Sequence, residues 1–230
     1  MNVTISSNYF RLSGLALLLG GLMGGVGQLL HAGDTPETVA EIPGFVAYAV
    51  NTHVLLAWAS TLILLGLPAI YLRQAAKLKW WGWLGLPLLF IALMFEIFHG
   101  PLQIMGYPII FHNVTTPEQL QVINDQIHTL ATDQYPLQLA VLIPLMPFLF
   151  IGLILTAVGM LTARVLPKHV GVVLTAAITL LVLGMFIKIR VLDVSFSYLL
   201  LAFAYIGGSL LLGSSNPAEV TNASRPARSA

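Results

Sequence analysis

Apolar residues fall into six long stretches along the chain, each close to the ~20 residues that a helix needs to cross a hydrocarbon core about 30 Å thick. They run from Phe10 to Leu30, Val50 to Leu72, Trp81 to Met105, Tyr135 to Leu161, Val170 to Ile187 and Val194 to Gly213, and the second and third extend outward to Gly44 and Phe111 if the flanking turns are helical. The pattern predicts an all-α fold, an integral membrane helical bundle of six transmembrane helices in which residues 1–213 form one domain. The first stretch exceeds the apolar segment of a signal peptide and is followed by no clean cleavage site, so it reads as a span. The tail 214–230, "SSNPAEVTNASRPARSA", is small, polar and proline-containing, and predicts disorder.

One polar connection has a pattern of its own. In "TTPEQLQVINDQIHTLATDQ", Thr116 can cap a helix, Pro117 suits its first position and Gln119 completes a capping box. Leu120, Ile123, Ile127 and Leu130 then recur on one face. A short amphipathic helix is expected here, lying on the membrane surface or folded over the bundle.

Charge orients the bundle. Arg11, Arg73, Lys77, Lys79, Arg164, Lys168, Arg225 and Arg228, eight of the ten basic residues, fall on one side of a six-span chain. The positive-inside rule makes that side cytoplasmic, with both termini inside. Trp80, Trp81 and Trp83 beside Lys77 and Lys79 fit an interfacial anchor. Lys188 and Arg190, on the other side, are read as snorkelling to the headgroups or, alternatively, clamping an anionic substrate.

Composition narrows the function classes. Of 230 residues, 57% are hydrophobic and 8% charged, and the mean hydropathy is +0.88, values outside the usage of water-soluble domains. A net charge of +1 without a dense basic patch leaves no footprint for nucleic acid. The absence of cysteine excludes disulfides, thiolate metal sites and covalently attached haem. Metal chemistry would have to use His, Asp, Glu, Met or Tyr. The expected partner is the lipid bilayer, and the expected location the bacterial inner membrane.

Within this frame the polar residues of the spans are the candidates for chemistry. His31 ends the first span, His53 lies in the outer part of the second, and Glu96 and His99 lie in the outer half of the third. Three-residue spacing places Glu96 and His99 on nearly the same helix face. A charged carboxyl at mid-helix costs about 2.5 to 3.5 kcal/mol on insertion scales, less if it is neutral and hydrogen-bonded. Glu-x-x-His is used by di-metal bundles, but those need two such motifs and further carboxylates, and this chain has one. A b-type haem needs only two histidines at similar depth. Counted from helix starts at Gly44 and Phe111, His53 lies about 13 Å and His99 about 18 Å from the outer ends, which makes these two the cofactor-binding candidates. The metal-binding candidates are His31, His53, Glu96 and His99, for haem b or a divalent transition metal; the alternatives are a proton-relay or small-ligand pocket and a purely structural hydrogen-bonded pair of Glu96 with His99.

The glycines of "GGLMGGVG" form two small-xxx-small pairs, Gly20 with Gly24 and Gly21 with Gly25. Such pairs allow close helix approach, to another helix of this chain or, through the Gly20/Gly24 seam, to a second copy or a membrane-complex partner. Pro87, Pro144 and Pro147 lie inside spans and predict kinks.

The segments "NTHVLLAWASTLILLGLPAIYLRQAAKLKWWGWLG" and "GLILTAVGMLTARVLPKHVGVV" resemble a type of small, uncharacterised bacterial multi-pass membrane protein, and the resemblance implies no activity. The Thr52–His53 opening is also similar to helix starts in small relatives of the haem–copper oxidase subunit I group, which implies a haem ligand at His53. The further histidines of a catalytic oxidase core are missing. Three functional readings follow. The chain binds haem or a metal in a redox or accessory role; it is a proton-coupled transporter or small-ligand-binding protein using Glu96 and His99; or it is a non-catalytic subunit of a membrane complex.

Overall fold

The computed structural model describes residues 3–31, 35–129, 139–187, 194–213 and 218–220. It is helical, apart from two three-residue strands, and six of its helical segments are long and apolar enough to cross a membrane. The chain fits a multi-pass membrane protein.

Strand β1 (Val3–Ile5) leads into α1 (Ser7–Leu29), where the Ser6 hydroxyl accepts from the amide of Asn8. A single turn at Val39–Glu41 then opens α2 (Ile42–Gln74). The second span therefore begins at the outward extension, where Pro43 occupies the first turn and its missing N–H costs nothing. The third span is interrupted. Trp80–Trp83 form the short α3, and α4 (Gly85–Pro101) restarts after Leu84. Pro87 thereby falls in the first turn of α4, where its missing N–H removes no bond within that helix, and the interruption of the span lies within one turn of it. Beyond α4, Leu102–Gly106 form a π turn before α5 (Tyr107–Ile110). Pro101 lacks an N–H and its ring crowds the carbonyl four residues back, which disfavours the regular ladder at this point.

Helix α6 (Pro117–Thr129) starts with the capping box. The Thr116 hydroxyl accepts from the Gln119 amide at 3.4 Å, and Gln119 Oε1 accepts from the amides of Thr116 and Thr115 at 3.2 and 2.9 Å. Its apolar face packs on the bundle: Leu120 is buried in a small core with Ile42, Ala49, Tyr107 and Phe111, joined by Ile123 and Ile127. Asn124 donates to the Pro36 carbonyl at 2.9 Å, tying the helix to the segment before α2. Leu130 lies outside the described residues, as do Lys188 and Arg190.

The chain continues through α7 (Leu139–Ala163), which contains Pro144 and Pro147, α8 (Lys168–Phe186) and α9 (Ser195–Leu212). Strand β2 (Ala218–Val220) pairs antiparallel with β1, Val3 opposite Val220. These three residues are the described part of the 214–230 tail.

Each span packs against its neighbours in sequence, α1 on α2, α2 on α4, α4 on α7, α7 on α8 and α8 on α9, and α9 closes on α1. The six spans therefore form a sequential ring. Glycines set the closure. A Cβ on Gly14 would stand 2.8 Å from the Gly207 carbonyl oxygen, and one on Gly21 would land on the backbone of Ala204. On the other face of α1, Gly20 and Gly24 meet Ala59 of α2, and Gly27 meets Leu56. The Gly20/Gly24 seam, considered above for a partner chain, is thus filled from within this chain.

The end of the ring bearing both strands also carries the described basic residues. Arg73 at the end of α2 donates to the Gly213 carbonyl at 2.9 Å, and its guanidinium lies 5.4 Å from the centre of the Phe10 ring. A cation satisfying the last carbonyls of α9 is favoured by the helix dipole. The first, second and sixth spans are joined there. His31 and α6 mark the opposite end.

Candidate functional site

Between the spans lies a partly open cavity of about 430 Å3, and helical periodicity explains its wall. From α4 come Leu89, Ala92, Leu93 and Glu96, spaced by three and four residues and hence on one face. Glu96 therefore belongs to the inward stripe of its helix rather than to the lipid face. Helix α9 contributes Phe196, Leu199, Leu200 and Phe203 at the same spacing, and α2 contributes Leu56, Ala59 and Ser60. Leu145, Met146 and Leu149 of α7 complete the apolar wall. The remaining polar groups, Gln28 and His31, come from the last turn of α1 and the residue just past it. The cavity is thus mostly apolar, and among the described residues that line it the side-chain hydrogen-bonding groups are Gln28, His31, Ser60 and Glu96.

His53 lies one turn outward from Leu56 on the same stripe of α2 and is buried. Its Nδ1 is 2.7 Å from the Ala49 carbonyl oxygen, and its Nε2 is 3.3 Å from Nε2 of His31. The two rings meet edge to face, centres 5.0 Å apart at 74°. A carbonyl only accepts, so Nδ1 of His53 carries the hydrogen, and in the neutral ring Nε2 is then the acceptor. His31 therefore donates from Nε2. An imidazole held by an Nδ1–H to carbonyl contact presents Nε2 in a fixed direction, which is the support that metal-ligating histidines commonly have.

Of the residues singled out by sequence, His31 and His53 meet, and Glu96 lines the same cavity as His31. The side chain of His99 lies outside the described residues, as does that of His128. His112 is exposed after α5. His169, exposed at the basic end, stands edge-on to Tyr205 with ring centres 5.8 Å apart. Among the described residues no group of three or more His, Asp or Glu side chains is placed to hold a metal ion.

Sequence reasoning passed over several polar residues. Ser60 had a usable signal, since it lies about two turns from His53 on the same helix, and so had Gln28, a polar residue at the end of an apolar span three positions before His31. Tyr71 and Thr156 had none. They hydrogen-bond across α2 and α7 in the core, and the Thr156 hydroxyl donates to the Gly152 carbonyl at 2.6 Å, so Tyr71 is the donor to Thr156. Gly85 fits against both hydroxyls, where a Cβ would stand 2.8 Å from the Tyr71 oxygen. Gln103, buried in the π turn, has an Oε1 with no hydrogen-bond partner among the described residues.

Compared with protein families, curated proteins and solved structures, the chain matches none of them.

Proposed function

We propose that this chain is a membrane-embedded binding protein for a small, predominantly apolar molecule with a hydrogen-bonding head, and that Glu96 and His31 hold that head. The cavity between the spans carries the reading. Its volume lies within the 300–1,000 Å3 of small-molecule sites, and an apolar wall with few convergent polar groups is the usual composition of such sites. A carboxyl on the inward face of a membrane helix costs insertion energy that a purely structural wall would avoid. By the positive-inside rule the basic end faces the cytoplasm of a bacterial inner membrane, and His31 with α6 faces out. The head group of the ligand then lies toward the outer end of the cavity.

The test is solvent extraction of the detergent-purified protein, with mass spectrometry of the extracted lipophiles, on wild type and Ala92→Trp. A stoichiometric lipophile is expected from wild type, reduced at least tenfold when tryptophan fills the cavity. Equal recovery from a folded variant would place the lipophile outside the cavity and end the reading.

A second reading is favoured by the His31–His53 contact. Two imidazole nitrogens bound to one tetrahedral metal at about 2.0–2.1 Å stand roughly 3.3–3.4 Å apart, and the Nε2 atoms are separated by 3.3 Å. The pair is suited to a divalent transition metal with open positions for solvent or a ligand. It would not suit haem b between these two rings, because Nε2 atoms in direct contact at 3.3 Å leave no room for a macrocycle. The haem reading retains His53 with His99. Copper titration followed by electron paramagnetic resonance should show two nitrogen ligands in wild type and one in His31→Ala. No bound copper at stoichiometric addition would remove the metal reading.

A further inference from the structure

At the basic end, on the turn between α7 and α8, lies a second, surface-open cavity of about 480 Å3, lined by Met160, Leu161, Arg164, Val165, Leu166, Pro167 and Lys168, with both basic side chains exposed. We propose that this cavity binds a phosphate-bearing anion at the membrane surface, with Arg164 and Lys168 as its two cations.

The geometry of the turn creates the site. Arg164 follows α7 with φ of 52°, the one non-glycine residue with positive φ among the described residues, and its amide donates back to the Met160 carbonyl at 3.2 Å. This left-handed position is normally taken by glycine, and here it turns the chain while keeping a guanidinium at the bend. Pro167 then starts α8 without a side-chain cap, so the first amides of that 19-residue helix face the same turn as the Lys168 ammonium. Close approach of the helices is secured at Gly171, where a Cβ would stand 2.8 Å from Leu161. Among the described residues no acidic side chain lines the cavity and no ion pair to Arg164 or Lys168 occurs. Acidic residues are in fact absent from the sequence between Asp133 and Asp193.

Location adds a second argument. Gly159, one turn before the cavity, packs against Leu78 and Gly82, which brings the site to the level of Trp80, an exposed indole. Tryptophan marks the headgroup layer, and basic pockets between helices at that layer suit lipid phosphates. The positive-inside rule alone accounts for basic residues on this side, but it does not call for a cavity with two cations and no counter-ion. Phosphate is the shared chemistry of two sources, an anionic phospholipid headgroup and free phosphate.

The experiment is native mass spectrometry of the full chain in detergent with phosphatidylglycerol, phosphatidylcholine or inorganic phosphate added. Wild type should retain one phosphatidylglycerol in preference to phosphatidylcholine. Arg164→Gln/Lys168→Gln should weaken that retention about 25-fold, at roughly fivefold for each charge removed near the surface. Lys77→Gln/Lys79→Gln removes the same charge from the same end without touching the cavity, and should change retention by less than a factor of three. Displacement of the lipid by millimolar inorganic phosphate would make free phosphate a ligand of the site, and resistance to it would assign the site to the lipid. Equal loss in the two double variants, or no preference for phosphatidylglycerol, overturns the proposal.

Discussion

Nε2 of His31 lies 3.3 Å from Nε2 of His53, and the second ring is held from behind by the Ala49 carbonyl 2.7 Å from its Nδ1. A residue just past the end of the first span and one inside the second are thereby coupled. The pair makes a prediction about hydrogens. Neutral His53 should be the Nδ1–H tautomer and neutral His31 the Nε2–H tautomer. Nitrogen-15 chemical shifts of selectively labelled histidine, assigned with His31→Gln and His53→Gln, measure this directly, and an Nε2–H tautomer at His53 would contradict the assigned contact.

Glu96 separates the roles of shape and hydrogen bonding in the cavity. Glu96→Gln keeps a donor and an acceptor at the wall and should leave lipophile recovery within about threefold of wild type. Glu96→Leu keeps the bulk and removes the polar group. With a typical hydrogen bond worth about 1 kcal/mol and those to charged groups more, recovery should fall roughly five- to tenfold. Matching recovery in the two variants would show that the ligand head does not use Glu96.

The seam between α1 and α9 should be intolerant of a single methyl group. Gly21→Ala places a Cβ against backbone atoms of Ala204 and Leu200, which cannot move as a flexible side chain would. A cost of about 1–3 kcal/mol or more is expected from overpacking. Gly208, one residue from the seam, has nothing within 4 Å of its Cβ position, and Gly208→Ala should be neutral or stabilising by up to about 1 kcal/mol. Thermal unfolding in detergent, followed by loss of monodisperse protein on size exclusion, compares the two.

Tyr71→Phe removes the donor to Thr156 while Thr156 keeps its bond to the Gly152 carbonyl, so no buried donor is orphaned. A loss of about 1 kcal/mol is expected. Thr156→Val leaves the Tyr71 hydroxyl without its acceptor in a buried setting and should cost more, about 1–3 kcal/mol. Reversible unfolding in mixed micelles would rank them, and the reverse order would show that Tyr71 has another acceptor.

Helix α6 should depend on its cap. The Glu118 carboxyl is held below the usual carboxylate range by the hydrogen bond from its own amide and by the Thr116 hydroxyl. A depressed pKa means stability that is present above the unfolded-state value and lost as pH falls through the folded one. Amide exchange in residues 118–123 should therefore accelerate, relative to the spans, as pH falls through and below the ordinary carboxylate range, and Thr116→Ala should produce the same acceleration at neutral pH. Unchanged exchange in Thr116→Ala would mean that docking on Tyr107 and Phe111 holds the helix without its cap.

The sequence made the spans legible because hydrocarbon thickness imposes one length on every crossing helix, and it made the start of α6 legible because a capping box is a local pattern. Glu96 and the histidines stood out because polar residues are costly in an apolar run. The meeting of His31 with His53 was not readable, since it depends on how far past Leu29 the chain continues and on the azimuth of α2 relative to α1. Tyr71 and Thr156, 85 residues apart, carry no mutual signal in a single sequence. The break at Leu84 and the π turn after Pro101 also escaped, because hydropathy reports where a helix is buried and not how its hydrogen-bond ladder is phased.

The sequential ring has a consequence for the order of assembly. As the chain enters the bilayer from its N-terminus, each span meets a partner that has just been delivered, and every extensive span-to-span contact but one forms between neighbours in time. The exception is α1 with α9, the tightest contact by its glycines, which waits until the last span arrives. Until then Gly14 and Gly21 stand against lipid, where bare helix backbone is a poor match for acyl chains. A chain stalled or truncated before Ser195 therefore displays an open groove for any foreign helix with small residues, and the released nascent chain closes that groove with its own last helix.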